Sequence, residues 1–399
     1  MHIRPTTEEE HDLFVTTMHS AFGLFPEPRA EDGGGVWWAA HEHDRNFFAV
    51  ADDGKLIGTA GAYSFELTLP GEHVIPVAGV SAVGVVPTHR RQGVLTAMMR
   101  HQLADVRARG EALAVLLCSE ATIYRRYGYG PATYNERLTV QRHRSAFARP
   151  HEDKGTVEVL RRDDAVDLME EIYDRHRRTQ PGALSRPHRW WATRAGQPPI
   201  APAHRYIAVH RAQDGTPDGY AGYTVDSGTL SVDETIAVTD EAFTALARYV
   251  LDHDLVEKVV LKQLPPGHPL RWRFEDFRAA EASGHGDWLW VRVLDVPRAL
   301  TARGWFTDGE LVLDVDDPFL GERGRYLLTV RDGGAECVRT DRAPDLSLDV
   351  SDLGSVYLGG TTPTTLARAG RVQAHHPDAL PLADALFRPD RTPHCPHWF

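Results

Sequence analysis

Residues Val80 to Met99, VSAVGVVPTHRRQGVLTAMM, decide how the first part of this chain folds. The stretch begins with the β-branched pattern of a strand, which closes at Pro87 because proline cannot donate to a strand ladder. A turn with two arginines follows, and a helix is predicted from Val94 onward. Gly93 lets the backbone approach a ligand closely, and the unpaired amides that begin the helix carry partial positive charge. The order of strand, turn and helix therefore predicts an anion-binding turn that holds a pyrophosphate.

The turn resembles the acetyl-CoA signature R-x-x-G-x-[GA] of the GNAT acyltransferases, with Leu95 where a small residue is usual. The likeness is extended by the terminal Phe399 and by a second motif, SEATIYRRYGYGPAT, at Ser119 to Thr133. Together these features make the chain similar to the Eis (enhanced intracellular survival) N-acetyltransferases from end to end. For the short motif alone, the alternative is an ordinary strand-turn-helix crossover with surface arginines.

The resemblance implies an α+β chain of two tandem GNAT folds, the second degenerate, followed by a sterol-carrier-protein-like domain. A length of 399 residues agrees with several domains, because it exceeds what one hydrophobic core usually organises. The charged stretch HRSAFARPHEDKG indicates a linker after the first fold. The predicted units are 1–145, with the acetyl-CoA site, 146–286, which lacks a phosphate turn and should bind no cofactor, and 287–399, which ends in the active-site C-terminus.

Strand and helix patterns agree with this order of units. In the first unit, an Asp-Gly hairpin signal separates the predicted strands Phe47 to Ala51 and Leu56 to Tyr63. In the last unit, an alternating strand is predicted from Trp288 onward, and Leu353 to Leu358 is predicted as a further strand of an antiparallel sheet. A covering helix is predicted near Thr362 to Ala369.

Acetyl transfer from a thioester to an amine needs a polarised carbonyl, a neutral amine and help for the departing thiolate. The resemblance assigns the general acid to Tyr124, whose phenol stays protonated at neutral pH. Three further tyrosines, Tyr127, Tyr129 and Tyr134, lie nearby in the sequence and leave the register open. The resemblance assigns the general base to the α-carboxylate of Phe399, for which a frayed tail is the alternative.

The predicted cofactor-binding residues lie on the strand, the turn and the end of a later strand. A splayed strand would offer its backbone amides to the pantetheine arm and the thioester oxygen, at Val83, Gly84 and Val85. The turn would wrap the pyrophosphate with Arg90, Arg91, Gln92, Gly93, Val94, Leu95 and Thr96. By resemblance, Ser119 and Glu120 lie beside the cofactor, although a capping serine with a surface carboxylate is the alternative. Trp37 and Trp38 are predicted to wall the acceptor pocket, or else to pack in the core.

Composition and charge restrict the partners. A formal net charge of −12 disfavours nucleic acid and suits a cationic substrate, although an acidic surface also simply aids solubility. No apolar run approaches the roughly 20 residues that span a bilayer, and the N-terminus lacks a signal-peptide core, so a cytoplasmic protein without membrane contact is expected. The tail contains His394, Cys395 and His397, but a second cluster at zinc spacing is missing from the sequence, so no metal is predicted.

The resemblance finally implies a homo-oligomer, a hexamer, that acetylates amines of a polycationic acceptor such as an aminoglycoside, and hence a role in antibiotic resistance. Two departures bear on that acceptor: Trp398 stands where the family has an acid, and Ala82 replaces an aromatic residue beside the cofactor strand. The alternatives are an acetyltransferase for a lysine side chain or another small amine, and a non-enzymatic protein that binds acetyl-CoA or a lipid.

Overall fold

The computed structural model describes residues 1–23, 40–192 and 206–399. Within these ranges the helices are α1 (His11–Ala21), α2 (Val94–Ala108), α3 (Ala121–Tyr124), α4 (Arg162–Arg177), α5 (His188–Ala192), α6 (Asp240–Leu251), α7 (Leu270–Arg273), α8 (Val296–Ala302), α9 (Val350–Tyr357), α10 (Pro363–Arg368) and α11 (Ala379–Phe387). Trp37 and Trp38 lie outside the described residues, so their predicted place in the acceptor pocket stays a prediction.

The strands in these ranges form three mixed sheets. They are β1 (His2–Pro5), β2 (Phe47–Val50), β3 (Leu56–Thr68), β4 (Val74–Val85), β5 (Leu113–Leu117), β6 (Gly130–Pro131), β7 (Tyr134–Gln141), β8 (Thr156–Arg161), β9 (Tyr206–Arg211), β10 (Pro217–Asp226), β11 (Thr229–Ala237), β12 (Lys258–Leu264), β13 (Ala280–Asp287), β14 (Leu289–Val293), β15 (Gly309–Asp317), β16 (Glu322–Arg331), β17 (Gly334–Arg339), β18 (Leu346–Asp349) and β19 (Val372–Ala374). The sheet orders are β1-β2-β3-β4-β5-β14-β6, then β13-β7-β12-β11-β10-β9-β8, then β17-β16-β15-β18-β19.

The first sheet follows the sequence prediction closely up to its phosphate turn. The hairpin between β2 and β3 closes where Asp-Gly was expected, with Gly54 at φ 83° and the Ala51 amide bonded to the Lys55 carbonyl at 2.9 Å. Strand β4 begins at Val74, six residues before the predicted start, because the apolar stretch from Val74 to Gly79 also pairs with β3 and lengthens the hairpin. Helix α2 then begins at Val94, as predicted.

Two strands cross between the units. Strand β14, which was assigned to the last unit, lies instead in the first sheet, where it pairs antiparallel with both β5 and β6. Strand β7, from the end of the predicted first unit, pairs with β12 and β13 in the second sheet. All of β14 is buried, with Val291 on one face and Trp290 on the other, as suits the interior of a sheet covered on both faces. The predicted boundaries at 145 and 286 divide the chain into three successive units. Each boundary is nevertheless crossed by strand pairing, because β7 joins the second sheet and β14 joins the first.

The predicted strand at Leu353 to Leu358 is wrong, because this stretch belongs to helix α9. The side chain of Asp349 accepts a hydrogen bond of 2.7 Å from the Ser351 amide and caps the helix. Every residue of α9 is buried, and a helix that is buried on all sides lacks the exposed face whose periodicity would separate it from a buried strand.

One hydrophobic core joins the first and third units. It contains Tyr63 and Phe65 of β3, Val291 of β14, Tyr357 of α9 and Phe387 of α11. The third unit therefore packs directly on the face of the first sheet opposite α2. This packing brings the end of the chain back to the first unit.

Candidate active site

Strands β4 and β5 diverge at the centre of the first sheet. Their parallel pairing covers only Ala78 with Ala114 and Gly79 with Val115. Beyond Gly79, the edge of β4 that faces β5 has no ladder partner among the residues that the structure describes. The divergence leaves an opening that exposes backbone donors and acceptors of β4, including those of the half-buried Val83 to Val85.

A bulge in β4 produces this divergence. The register with β3 shifts between Thr59 and Gly61, and Ala82 adopts φ 53°, a left-handed conformation that costs free energy for a residue with a Cβ. The Thr59 hydroxyl donates a hydrogen bond of 2.8 Å to the Ala82 carbonyl and holds the bulge. Sequence patterns gave no sign of this strain, because alanine has no preference for left-handed backbone.

The predicted phosphate turn precedes α2 as expected. Gly93 occupies the N-cap at φ 82° without any side-chain cap, and an added Cβ would have no atom within 4 Å. The first amides of α2 are thus open to a ligand, and the turn fits a pyrophosphate. Leu95, the departure from the signature, is half-buried and packs against the apolar clusters around α2, so its bulk does not enter the turn.

The two arginines of the turn differ in their contacts. Arg90 donates through Nη2 to the Ala21 carbonyl at 2.6 Å and through Nε to the Val85 carbonyl at 3.3 Å. It therefore fastens the turn to α1 and β4. Arg91 is exposed, and within the described ranges it forms no hydrogen bond or ion pair. Gln92 bonds the Thr88 carbonyl at 3.3 Å, which shapes the turn, so Arg91 is the side chain left to meet an anion.

Tyr124 lies at the end of α3, beside the opening. Its ring is buried among Val80, Ala114 and Leu116, on the face of the first sheet that α2 covers. Burial raises the pKa of Tyr124 well above its ordinary value, and a hydrogen bond with Ser119 opposes that rise only partly. The phenol is therefore a donor at every working pH.

The structure separates Tyr124 from the other three tyrosines. Tyr127 directs its hydroxyl to Thr96 of α2, at 3.4 Å. Tyr129 is fully buried, and its hydroxyl has no partner among the described residues. Tyr134 belongs to the second sheet and bonds Thr361 at 2.7 Å. Only Tyr124 and Tyr127 thus lie next to the predicted cofactor residues.

Ser119 and Glu120 follow the end of β5 and are exposed. The Glu120 carbonyl accepts from the Ile123 amide at 3.0 Å and begins α3. Cys118, just before them, has its pKa raised to about 11 by burial, so it stays a thiol. Ser119, Glu120 and Tyr124 therefore lie together at the end of β5.

The C-terminus reaches the same opening from the opposite face. The Phe399 ring is 9% exposed and packs edge-to-face on Phe65, with ring centroids 5.1 Å apart. A Cβ added to Gly79 would lie 3.2 Å from the Phe399 ring, which fixes that ring beside the last residue pair of β4 and β5. Alternate residues of a strand face opposite sides, so Val115 shares a core with Phe399 while Ala114 and Leu116 share one with Tyr124.

An aromatic cluster, consisting of Tyr63, Phe65, Trp190, His397 and Phe399, surrounds the end of the chain. Sequence reasoning did not find this cluster, because its members are up to 336 positions apart and no local pattern joins them. The carboxylates beside it are paired with arginines, in the contacts of Glu42 with Arg189, Glu66 with Arg177 and Glu234 with Arg186.

The tail residues of metal-ligand type are held by the fold. The His394 amide donates to the Pro181 carbonyl at 2.8 Å, and the Cys395 thiol contacts the His397 carbonyl at 3.4 Å. Burial lowers the pKa of His394 to about 3. Nowhere in the described ranges do three His, Cys, Asp or Glu side chains converge as a metal site would require.

Known protein domains match all three units. Residues 2–132 and 182–293 each match an acetyltransferase (GNAT) domain, and residues 296–396 match a sterol carrier protein domain. These matches confirm the predicted fold class, with two such acetyltransferase folds before a sterol-carrier-like domain. Within the described residues, no helix is both long and apolar enough to cross a membrane.

Relatives match over most or all of the chain. An uncharacterized N-acetyltransferase of Streptomyces avermitilis is 35% identical over 100% of this chain and 98% of its own length. The N-acetyltransferase Eis of Mycobacterium tuberculosis is 38% identical over 84% of each chain. The crystal structure of Eis1 from Mycobacterium abscessus covers 100% of both chains with a TM-score of 0.88 and 36% identity. A GCN5-related N-acetyltransferase from Anabaena variabilis, at 20% identity and a TM-score of 0.85, shares the fold.

Proposed function

The chain belongs to the Eis-like GNAT N-acetyltransferases, and we propose that it moves acetyl through the opening between β4 and β5 onto an amine, with Tyr124 as general acid and the Phe399 α-carboxylate as general base. A GNAT acetyltransferase uses acetyl-CoA as cosubstrate. The observation that carries the proposal is that Tyr124 and Phe399 lie on opposite faces of one sheet, on either side of its single opening in the described residues. An acid and a base so placed can serve the two ends of one displacement.

In this proposal, the turn and the β4 backbone hold the donor. Arg91 and the amides of Gly93, Val94 and Leu95 bind the pyrophosphate, and Val83 to Val85 bind the pantetheine arm. The β4 amides at the bulge also polarise the thioester carbonyl, since they face the opening without a ladder partner in the described chain. Ser119 and Glu120 border the arm where β5 ends, and Ser119 orients the phenol of Tyr124.

The two proton transfers are proposed to take place on opposite faces of the first sheet. The acceptor amine enters from the aromatic cluster, and the Phe399 carboxylate takes a proton from its nitrogen as the new C–N bond forms. Tyr124 donates its proton to sulfur as the C–S bond breaks, and it regains one from solvent afterwards. Since the phenol pKa is raised, Tyr124 starts each turnover protonated.

For the acceptor, we propose a polycationic amine, with an aminoglycoside as the first candidate. A net charge of −12 and the terminal carboxylate would attract such a molecule. Trp37 and Trp38 are proposed to complete the pocket wall. A lysine side chain or another small amine is the competing acceptor, and it is favoured by the arginine pairing of Glu42, Glu66 and Glu234, which leaves less negative charge at the cluster.

The experiment is a thiol-release assay with acetyl-CoA and a matched panel of aminoglycosides, diamines and lysine peptides. We expect free thiol with amines and none with the corresponding alcohols. Faster release with lysine peptides than with aminoglycosides would select the competing acceptor. An absence of thiol with every amine would contradict the proposed acid and base.

A lipid-carrier function without catalysis is less consistent with the structure of the third unit. Its sheet buries Leu313, Leu328 and Leu346 in the core shared with the first unit. A cavity of about 260 Å³ beside this sheet is lined by charged side chains, among them Arg107, Asp317 and Glu322. We therefore propose that the third unit, in residues 287–399, serves mainly to deliver the C-terminus, and that units 1–145 and 146–286 hold the donor site and its support. The hexamer is likewise proposed from the family and is tested by mass measurement in solution.

A further inference from the structure

A buried arginine contacts the C-terminal tail two residues before its end. The Arg186 guanidinium lies over the rings of both Tyr173 and Trp191, with its central carbon 4.1 and 4.5 Å from the ring centroids. It forms an ion pair with Glu234 at 2.7 Å. Its Nε donates a hydrogen bond of 3.2 Å to Nδ1 of His397.

This hydrogen bond determines the protonation of His397. A guanidinium has only donors, so Nδ1 must offer a lone pair and the ring proton must lie on Nε2. Burial, together with the positive charge of Arg186, holds the pKa of His397 well below its ordinary range. The ring is therefore neutral at working pH and cannot act as a proton donor of the imidazolium kind.

The same ring holds Phe399. His397 stacks on Phe399 with a centroid distance of 6.0 Å and an interplanar angle of 28°. It also packs edge-to-face on Phe65 at 5.3 Å and on Trp190 at 4.9 Å. Nε2 has no hydrogen-bond partner among the described residues, so the bond from Arg186 is the ring's one polar tie in that part of the chain.

We propose that Arg186 and His397 form a positioning pair that holds the Phe399 α-carboxylate at the opening between β4 and β5. The inference rests on the proposed catalytic role of that carboxylate. Arg186 is fixed by two rings and one carboxylate before it meets the tail, so it is a rigid reference point for His397. Without the pair, the tail would keep its backbone contacts, at His394 and from Trp288 Nε1 to the His397 carbonyl at 3.3 Å, but the His397 ring would lose the bond that orients it against Phe399.

The test compares three substitutions of one residue. His397→Phe keeps the ring but removes the acceptor. His397→Asn places an amide oxygen near the position of Nδ1, and His397→Gln places its amide near that of Nε2 instead. We expect kcat to fall about tenfold to a hundredfold in His397→Phe and His397→Gln, with little change in KM for acetyl-CoA, and to fall less in His397→Asn, which restores the acceptor but not the ring. If the phenylalanine variant does not fold, the Asn and Gln variants decide.

Two controls separate this effect from loss of packing. His394→Phe alters a buried tail histidine outside the aromatic cluster, and it should lower the thermal midpoint more than kcat. Release of Phe399 by a carboxypeptidase should be faster in His397→Phe than in the parent chain, which reports on the tail without any turnover. Equal kcat in the Asn and Gln variants, or an equally slow release of Phe399, would overturn the positioning role.

A chain extended by two glycines after Phe399 tests the catalytic role of the carboxylate separately from the positioning role of Arg186 and His397. If the extended chain keeps the parental rate, the proposed role of the carboxylate fails. If the extension abolishes turnover while His397→Phe retains it, the catalytic role of the carboxylate is supported and the positioning role of Arg186 and His397 is wrong. If both hold, adding the extension to His397→Phe should cost much less than it costs the parent, because both changes displace the same group.

Discussion

Tyr124 and Tyr127 both lie on the α2 side of the opening, and they differ in what holds their hydroxyl groups. Tyr124 lies near Ser119 at the end of β5, whereas the Tyr127 hydroxyl contacts Thr96 in the first turn of α2 and its ring packs on Phe319. The general acid must point its hydroxyl at the leaving thiolate. A neighbour that orients the ring while leaving the hydroxyl proton free for the thiolate suits that role. The contact with Ser119 therefore favours Tyr124 as the acid.

We expect Tyr124→Phe to lower kcat at least tenfold with little change in KM for acetyl-CoA, because the lost hydrogen bond acts mainly in the transition state. The ring, and hence the packing with Tyr129, is kept. Because burial raises the phenol pKa, the parent enzyme should show no loss of kcat from phenol ionisation up to pH 9. Steady-state kinetics across pH measures both effects.

Tyr127→Phe is the matched control, since it removes a hydroxyl from the same short segment. It should change KM for acetyl-CoA more than kcat. A larger loss of kcat in Tyr127→Phe than in Tyr124→Phe would assign the general acid to Tyr127 instead of Tyr124.

Site residues whose partners are close in the sequence could be predicted from the sequence. Site residues whose partners are far away in the sequence could not. The turn from Arg90 to Thr96 was found because its chemistry lies within seven consecutive positions. The contacts of Phe399 with Phe65 and Gly79 depend on packing between the first and third units. No spacing in the chain encodes such a contact, and the family resemblance alone suggested a role for the terminus.

In the proposed function, the turn from Arg90 to Thr96 and α2 together bind the donor. The structure gives Arg90 two bonds to backbone carbonyls of α1 and β4, whereas Arg91 makes none in the described residues. Arg90 therefore holds the turn in place, while Arg91 is exposed and is the residue proposed to meet the ligand.

Charge reversal should separate these two roles. We expect Arg91→Glu to weaken acetyl-CoA binding at least tenfold with an unchanged thermal midpoint, because a repelling carboxylate then faces the anion. Arg90→Glu should weaken binding as well but also lower the thermal midpoint, since two hydrogen bonds to backbone carbonyls are lost. Calorimetry and thermal unfolding of both variants check this, and unaltered affinity in Arg91→Glu would contradict the assignment of the turn.

The errors at the level of elements share one cause. Strand β14 was assigned to the wrong sheet and α9 was predicted as a strand, and both are buried on every side. Periodicity reports which face of an element meets water, so it carries no information for an element without such a face. Helix α2 has an exposed face and was predicted correctly for the same reason, whereas the buried hairpin of β2 and β3 was recognised from its Asp-Gly turn.

The folded molecule keeps several histidines neutral, with His394 buried and His41 and His268 half-buried. Burial lowers the pKa of His41 to about 3, of His268 to about 4 and of His394 to about 3. Above pH 6.5 these groups are neutral in both the folded and the unfolded chain. As the pH falls below about 6.5, the unfolded chain takes up protons that the folded chain does not, and this favours unfolding.

Each such histidine should remove about 1.4 kcal/mol of unfolding free energy per pH unit, until the pH reaches its folded pKa. We therefore expect the thermal midpoint to fall steeply from pH 6.5 to pH 5. The variant His268→Gln, which cannot take up a proton, should show a smaller slope. An unchanged midpoint across this range would show that these side chains are not held neutral.

The most direct test of the account concerns how three units make one site. The third unit places the last residue of the chain against β4 of the first, where Tyr124 lies on the other face. Extending the chain by two glycines moves the α-carboxylate and leaves every side chain in place. Thiol release, acetyl-CoA affinity and the thermal midpoint are measured on the same preparation. We expect turnover to fall at least a hundredfold while acetyl-CoA binding and stability persist, and turnover at the parental rate would contradict the proposed role of the carboxylate.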